Sequence, residues 1–234
     1  MLPSASPKDA QRRRLTLTFD NGPEAQVTPA VLDCLSRHGI KVAFFVLGRK
    51  AITPEGAVIV RRAIAEGHWI GNHTFNHSSP LGRLDRADAL REFEQAEKAL
   101  AWIQDMRGQA RHLFRPPGSG MLGRHLLQPA IVEKLVAGSY TCVLWNSVPG
   151  DYRDPNGWLE RALADCRSRP WTLVVLHDLP NGAMAHLDEF ITSLKSEGVE
   201  FVQEFPPDCV PIVDGRIVLP LEPYVSGLDV TAAF

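Results

Sequence analysis

Short apolar stretches suited to strands alternate with segments of helical period along most of this chain. Leu15, Leu17 and Phe19 alternate with polar positions and predict a strand over 15–19. Pro29–His38 sets Val31, Leu32 and Leu35 on one helical face and stops at Gly39. Val42–Leu47 is a continuous apolar run with two aromatics, the pattern of a strand buried on both faces. A helix over Gly56–Glu66 and a short strand at Trp69-Ile70 follow. The longest predicted helix is Arg86–Met106, with Leu90, Phe93, Ala96, Leu100 and Ile103 at helical spacing. Leu113-Phe114 reads as a strand, His125–Val136 as a helix, Tyr140–Trp145 as a strand and Trp158–Cys166 as a helix. Leu173–Leu176, a helix over His186–Ser196 and a last strand over Val199–Val202 complete the series.

Strands that alternate with helices imply a parallel sheet, and this many units in one chain of 234 residues favour a barrel over an open sheet. The pattern divides the chain into an N-terminal arm (1–13), a barrel (14–205) and a C-terminal extension (206–234). Within the extension, Ile212–Val218 predicts a β-hairpin, because Asp214-Gly215 suits a type I′ turn.

Composition changes this picture little. Hydrophobic residues make up 44% and charged residues 22%, as in a globular chain with a full core. A net charge of −2 gives no drive toward nucleic acid or an anionic membrane, and the short run Arg12-Arg13-Arg14 reads as a solvated edge. Neither a secretory leader nor a membrane span is visible in the chain as given, so a cytoplasmic location is expected. Cys34, Cys142, Cys166 and Cys209 form no CxxC pair and are expected to be free thiols.

The chemistry falls at the C-terminal ends of the predicted strands, where barrels carry their active sites. The first strand ends in Asp20-Asn21, the third leads into His73-Thr74-Phe75-Asn76-His77, and the fourth ends in Arg115-Pro116-Pro117. The fifth ends in Trp145 and leads to Asp151-Tyr152, and the sixth ends in His177-Asp178. The i, i+4 spacing of His73 and His77 would set both imidazoles on one face of a helical turn, within reach of one metal. Two histidines with a carboxylate are a common catalytic zinc set, and Asp20-Asn21 is the natural supplier of the third ligand. A carboxylate would act as base and His177 as acid toward a leaving amine, with Asp151 holding the His177 ring and Arg115 pairing with Asp20.

These residues resemble the polysaccharide deacetylases of the NodB-homology type, carbohydrate esterase family 4. Five family motifs occur in order: Thr18-Phe19-Asp20-Asn21-Gly22-Pro23, His73-Thr74-Phe75-Asn76-His77, Arg115-Pro116-Pro117-Gly118, Val148-Pro149-Gly150-Asp151-Tyr152 and Val175-Leu176-His177. The resemblance implies a distorted (β/α)7 barrel and metal-dependent removal of an N- or O-linked acetyl group from a carbohydrate-type substrate. It implies Asp20 as base, His177 as acid, Arg115 and Asp151 as their tethers, and Asn21, His73 and His77 as ligands of one divalent metal. Zn is the first choice for that metal, with Co, Ni or Mn as alternatives. Gly118 would offer its backbone N–H to the oxyanion, and Tyr152, Val175 and Trp145 would contact the substrate.

Position 21 carries aspartate in most of the family. The amide oxygen of Asn21 can coordinate but is neutral, so weaker metal binding and a more Lewis-acidic metal are expected. Asp178 or Asp154 are the candidates to compensate. The alternatives are an amidohydrolase for a small non-polysaccharide amide, and a metal-poor pseudo-deacetylase that binds carbohydrate.

Overall fold

The strand foreseen at 15–19 is β1, Arg14–Asp20, and in the computed structural model every residue of it past Arg14 is buried. The structure describes residues 12–103, 106 and 111–227, so the expected arm lies almost wholly outside the described residues. Leu15, Leu17 and Phe19 face a core shared with helices α1 (Thr28–His38), α3 (Pro54–Ala65), α6 (Trp158–Ser168) and α7 (Leu187–Ser196). The alternate positions Thr16, Thr18 and Asp20 are buried polar groups. In β2 (Ala43–Val46), Phe44 and Val46 join that outer core while Ala43 and Phe45 enter a second cluster. β6 (Trp171–His177) splits the same way, Val174 and Leu176 against Leu173 and Val175. Burial on both faces is why these strands read as continuous apolar runs.

Register places the site. β1 pairs with β6 in parallel over seven positions, so Asp20 lies directly beside His177. On its other edge Asp20 pairs with Phe45 of β2. β3 (Trp69–Asn72), β4 (Leu113–Phe114) and β5 (Thr141–Cys142) continue the parallel sheet, with Asn72 opposite both Val46 and Phe114. The residues that follow, Asn21, His73 and Arg115, therefore emerge on one rim.

The barrel is distorted at two places. β5 does not pair along β6; the chain beyond it returns, and the single parallel bridge Ser147–Val174 draws the two edges together. β7 (Glu200–Phe201) pairs only with Arg14 and Leu15. Because β6 occupies the whole of one edge of β1, β7 lies on the other, below β2. A simple seven-strand circle would have set it between β6 and β1.

Several boundaries shift for identifiable reasons. The helix expected over Arg86–Met106 is α4, Arg86–Leu100, which tightens into a 3₁₀ turn over Ala101–Ile103. That expected from His125 begins as α5 at Pro129 and runs to Ala137. Proline has no N–H to bond the carbonyl of residue 125, so it opens a helix and cannot continue one. The fifth strand is only Thr141-Cys142, because Leu144 donates instead to the Cys209 carbonyl. A one-turn helix, α2 (Gly48–Ala51), was not foreseen.

The hairpin of the extension is present as β8 (Ile212–Val213) and β9 (Arg216–Ile217), with Asp214 and Gly215 both at positive φ as the turn requires. β8 pairs antiparallel with β5, so the hairpin extends the barrel sheet. All four cysteines are buried free thiols, as expected. No helix among the described residues is long and apolar enough to cross a membrane.

Candidate active site

Asp20 ends β1 with 4% of its surface exposed, and the Arg115 guanidinium behind it is fully buried. Arg115 follows β4 and spends its donors inside the barrel. Nη1 donates to Asp20 Oδ1 (2.7 Å) and Thr18 Oγ1 (2.8 Å), Nε to the Val143 carbonyl (3.1 Å) and Nη2 to the Leu144 carbonyl (3.3 Å). The guanidinium also lies over the Phe45 ring at 4.0 Å. Burial pushes the Asp20 carboxyl up, but Arg115, His73 and His177 outweigh it and hold it below the ordinary carboxylate range. Asp20 is thus an ionised carboxylate with one oxygen tied down.

The second pair mirrors the first. Asp151 is fully buried and accepts the His177 backbone N–H (2.7 Å) and its Nδ1–H (2.9 Å). Burial lowers the His177 pKa, yet the hydrogen bond and charge of Asp151 overcome this and raise it overall. With Nδ1 committed, Nε2 is left to exchange protons at the cavity.

His73 and His77 do meet, with ring centroids 4.9 Å apart, but not on the helical turn their spacing suggested. The segment is a loop with Thr74 and His77 at positive φ. Glu92 of α4 clamps it, accepting the Asn76 backbone N–H and side-chain amide at 2.8 Å each. His73 Nδ1 contacts the Arg115 carbonyl at 2.8 Å, which can only accept, so the proton sits there and Nε2, 3.6 Å from Asp20 Oδ2, keeps an unprotonated lone pair for a metal. Burial drives the His73 pKa down to about 3 and lowers that of His77 as well, so neither carries a proton into the site near neutral pH. Asn21 beside them takes φ 75°, a conformation asparagine tolerates. Its Oδ1 is buried with no hydrogen-bond partner. A buried amide oxygen without a donor is costly, and a cation beside two neutral imidazoles would relieve it. The donor set fits a divalent metal.

A cavity of about 240 Å³ opens here. It is lined by Asp20, Asn21, His73, His77, His177, Gly118, Trp145, Tyr152 and Val175, every expected site residue except the two tethers behind it. At Gly118 a Cβ would come within 2.2 Å of Trp145 Cη2, so only glycine lets the indole pack there. The Tyr152 ring stands edge-on to His177 at 5.0 Å.

Neither proposed compensator for Asn21 lines the cavity. Asp154 is an exposed carboxylate paired with Arg161 (2.8 Å) and with the Gly157 N–H (2.9 Å). Asp178 is buried behind Gly22, bonded to Thr28, with burial pushing its carboxyl up to about 7. Ser119, Gly120, Val148 and Leu179 also line the cavity and were not picked out as site residues. Leu179, two residues past His177, was within reach of the sequence reading; the Glu92 clamp, set by a distant helix, carried no local signal.

A family model described as polysaccharide deacetylase matches residues 7–129. The chain is 31% identical over 196 residues to the peptidoglycan-N-acetylglucosamine deacetylase PgdA of Listeria monocytogenes, covering 84% of this chain and 39% of that protein. It therefore spans about two fifths of that relative's length. It is 30% identical over 175 residues to a chitooligosaccharide deacetylase of Sinorhizobium fredii, covering 74% and 75% of the two chains. Its fold matches the crystal structure of a polysaccharide deacetylase from Bacillus cereus with a TM-score of 0.70 at 25% identity, over 86% of this chain and 97% of that one.

Proposed function

Because the chain belongs to the polysaccharide deacetylase family, we infer that it hydrolyses the acetyl amide of an N-acetylated sugar. The observation that carries this reading is the pair of adjacent tethered groups, Asp20 on Arg115 and His177 on Asp151, lining one cavity from paired strand ends. Family members are metalloenzymes with a divalent metal. Here His73, His77 and the Asn21 amide oxygen would hold it, with zinc the first choice. Bound there, it would polarise the substrate carbonyl and acidify a water.

The chain's own residues supply the rest. Asp20, ionised and fixed by Arg115, removes a proton from the attacking water. The Gly118 N–H supports the oxyanion as the carbonyl becomes tetrahedral. Tyr152, Val175 and Trp145 give an apolar wall for the acetyl methyl. His177, charged and oriented by Asp151, donates from Nε2 to the departing amine, so the products are acetate and the free amino sugar.

The test is acetate release from acetylated chitooligosaccharides by the full chain. Release is expected with Zn²⁺ present, to stop on chelation and to return when Zn²⁺ is restored. A metal-loaded protein that releases no acetate would refute the reading.

The acid assignment makes a separate prediction. His177 must be protonated to act, and Asp151 is what raises its pKa. Asp151→Asn should therefore move the alkaline limb of the kcat profile to lower pH and cut kcat by about 10²–10⁴. An unchanged alkaline limb would separate Asp151 from the acid.

A further inference from the structure

A second group of ligand-type side chains lies outside the barrel, between α1 and α7. Cys34 and His38 are four residues apart on α1, and Asp188 stands in the first turn of α7. His38 Nε2 lies 3.0 Å from Asp188 Oδ1, and Cys34 Sγ lies 3.8 Å from the same oxygen. All three donor atoms lie within 4.8 Å of one another. Zinc bonds sulfur at about 2.3 Å and nitrogen or oxygen at about 2.0–2.2 Å in tetrahedral sites, which sets ligand-to-ligand edges of roughly 3.3–3.6 Å. The two measured edges bracket that range, so shifts of a few tenths of an ångström on those edges would bring them to it.

We propose that Cys34, His38 and Asp188 form a second metal site, for a thiophilic divalent cation such as Zn²⁺ or Cd²⁺, that staples α1 to α7. Exposure grades across the site as a three-ligand centre needs: Cys34 is buried, the His38 side chain is 18% exposed and that of Asp188 57%, leaving the fourth position to water. The competing role for Asp188 is an ion pair, since Arg37 Nη2 lies 3.2 Å from Oδ1 as well. Every one of these contacts falls on Oδ1, and Oδ2 has no partner among the described residues, so Arg37 can shift from Oδ1 to Oδ2 when a cation takes Oδ1. Lys195, the other cation nearby, is spent on the His38 carbonyl at 2.6 Å. Binding would release the Cys34 thiol proton. The staple would join the helices that follow the two catalytic strands, so its occupancy would stiffen the pair that carries Asp20 and His177.

The site is separable from the catalytic one because it alone offers sulfur. Chelator-treated full-length protein titrated with Cd²⁺ should develop one equivalent of thiolate-to-metal charge-transfer absorbance in the ultraviolet. Zn²⁺ should displace it and protect one thiol from alkylation. The band should vanish in Cys34→Ser. In His38→Gln and Asp188→Asn, changes at partly exposed positions that retain the fold, Cd²⁺ should bind at least about tenfold more weakly. No band in the native protein, or a band of equal affinity in either of the last two variants, would overturn the site.

Discussion

Asp20→Asn is expected to reduce acetate release by about 10³-fold, within the 10²–10⁴ range for loss of a positioned base, while the protein still folds and binds metal. The substitution keeps the shape and an acceptor for Arg115 Nη1 but removes the charge. Arg115 is then a fully buried cation without its counter-ion, and breaking such a pair costs about 3–5 kcal/mol. The retained Nη1 bond, and the Thr18, Val143 and Leu144 contacts, should hold the cost near the lower end. Thermal melts beside kcat separate the two effects. A variant that kept most of its turnover would sink the base assignment. The pH dependence gives a second check. The folded pKa of Asp20 is lowered, so its stabilisation is complete above the unfolded value of about 3.9 and is lost as pH falls through the folded one. That acid-side loss should be missing in Asp20→Asn.

What could be read in the sequence and what could not divide along one physical line. Leu15-Leu17-Phe19 and Val42–Leu47 declare strands because burial imposes its period on neighbouring residues. A parallel sheet then fixes which ends of those strands share a rim, and Asp20, His73, Arg115 and His177 follow. Features made by distant partners left no such trace. The Ser147–Val174 bridge that draws the barrel edges together, the place of β7 below β2, and the Glu92 clamp on the histidine loop each pair residues far apart in sequence. The histidine pair shows both sides: its meeting was legible from spacing, whereas the left-handed Thr74 and His77 that produce it depend on that clamp and on Asn72, which accepts the Thr74 N–H at 2.7 Å. Arg115 was legible as a partner of Asp20, but its complete burial was not, since nothing in Arg115-Pro116-Pro117 distinguishes a buried guanidinium from a surface one.

Asn21→Asp is expected to tighten Zn²⁺ binding by at least about tenfold, and the reason is the orphaned Oδ1. In the native protein Asn21, whose buried Oδ1 has no hydrogen-bond donor, lines the cavity with two neutral imidazoles, so the three ligands offer a cation lone pairs and no charge of their own, and the negative charge beside them is that of Asp20. A carboxylate adds a full charge at the same atom, and in a buried site unit charges interact far more strongly than in water. The gain carries a cost in the metal-free state, because the new carboxylate would stand next to the ionised Asp20. The apo variant should therefore melt below the apo native protein, and its melting point should rise more on adding Zn²⁺. Each tenfold gain in affinity is worth about 1.4 kcal/mol of extra stabilisation at a fixed saturating concentration. Activity should respond in two regimes. At limiting Zn²⁺ the variant should release acetate faster, since more of it is loaded. At saturating Zn²⁺ it should gain nothing or lose, because the added negative charge makes the metal a weaker Lewis acid. Equal Zn²⁺ affinity in the two proteins, measured calorimetrically, would show that the residue 21 oxygen does not touch the metal. Tighter binding without any acetate release would keep Asn21 as a ligand position and remove the deacetylase reading.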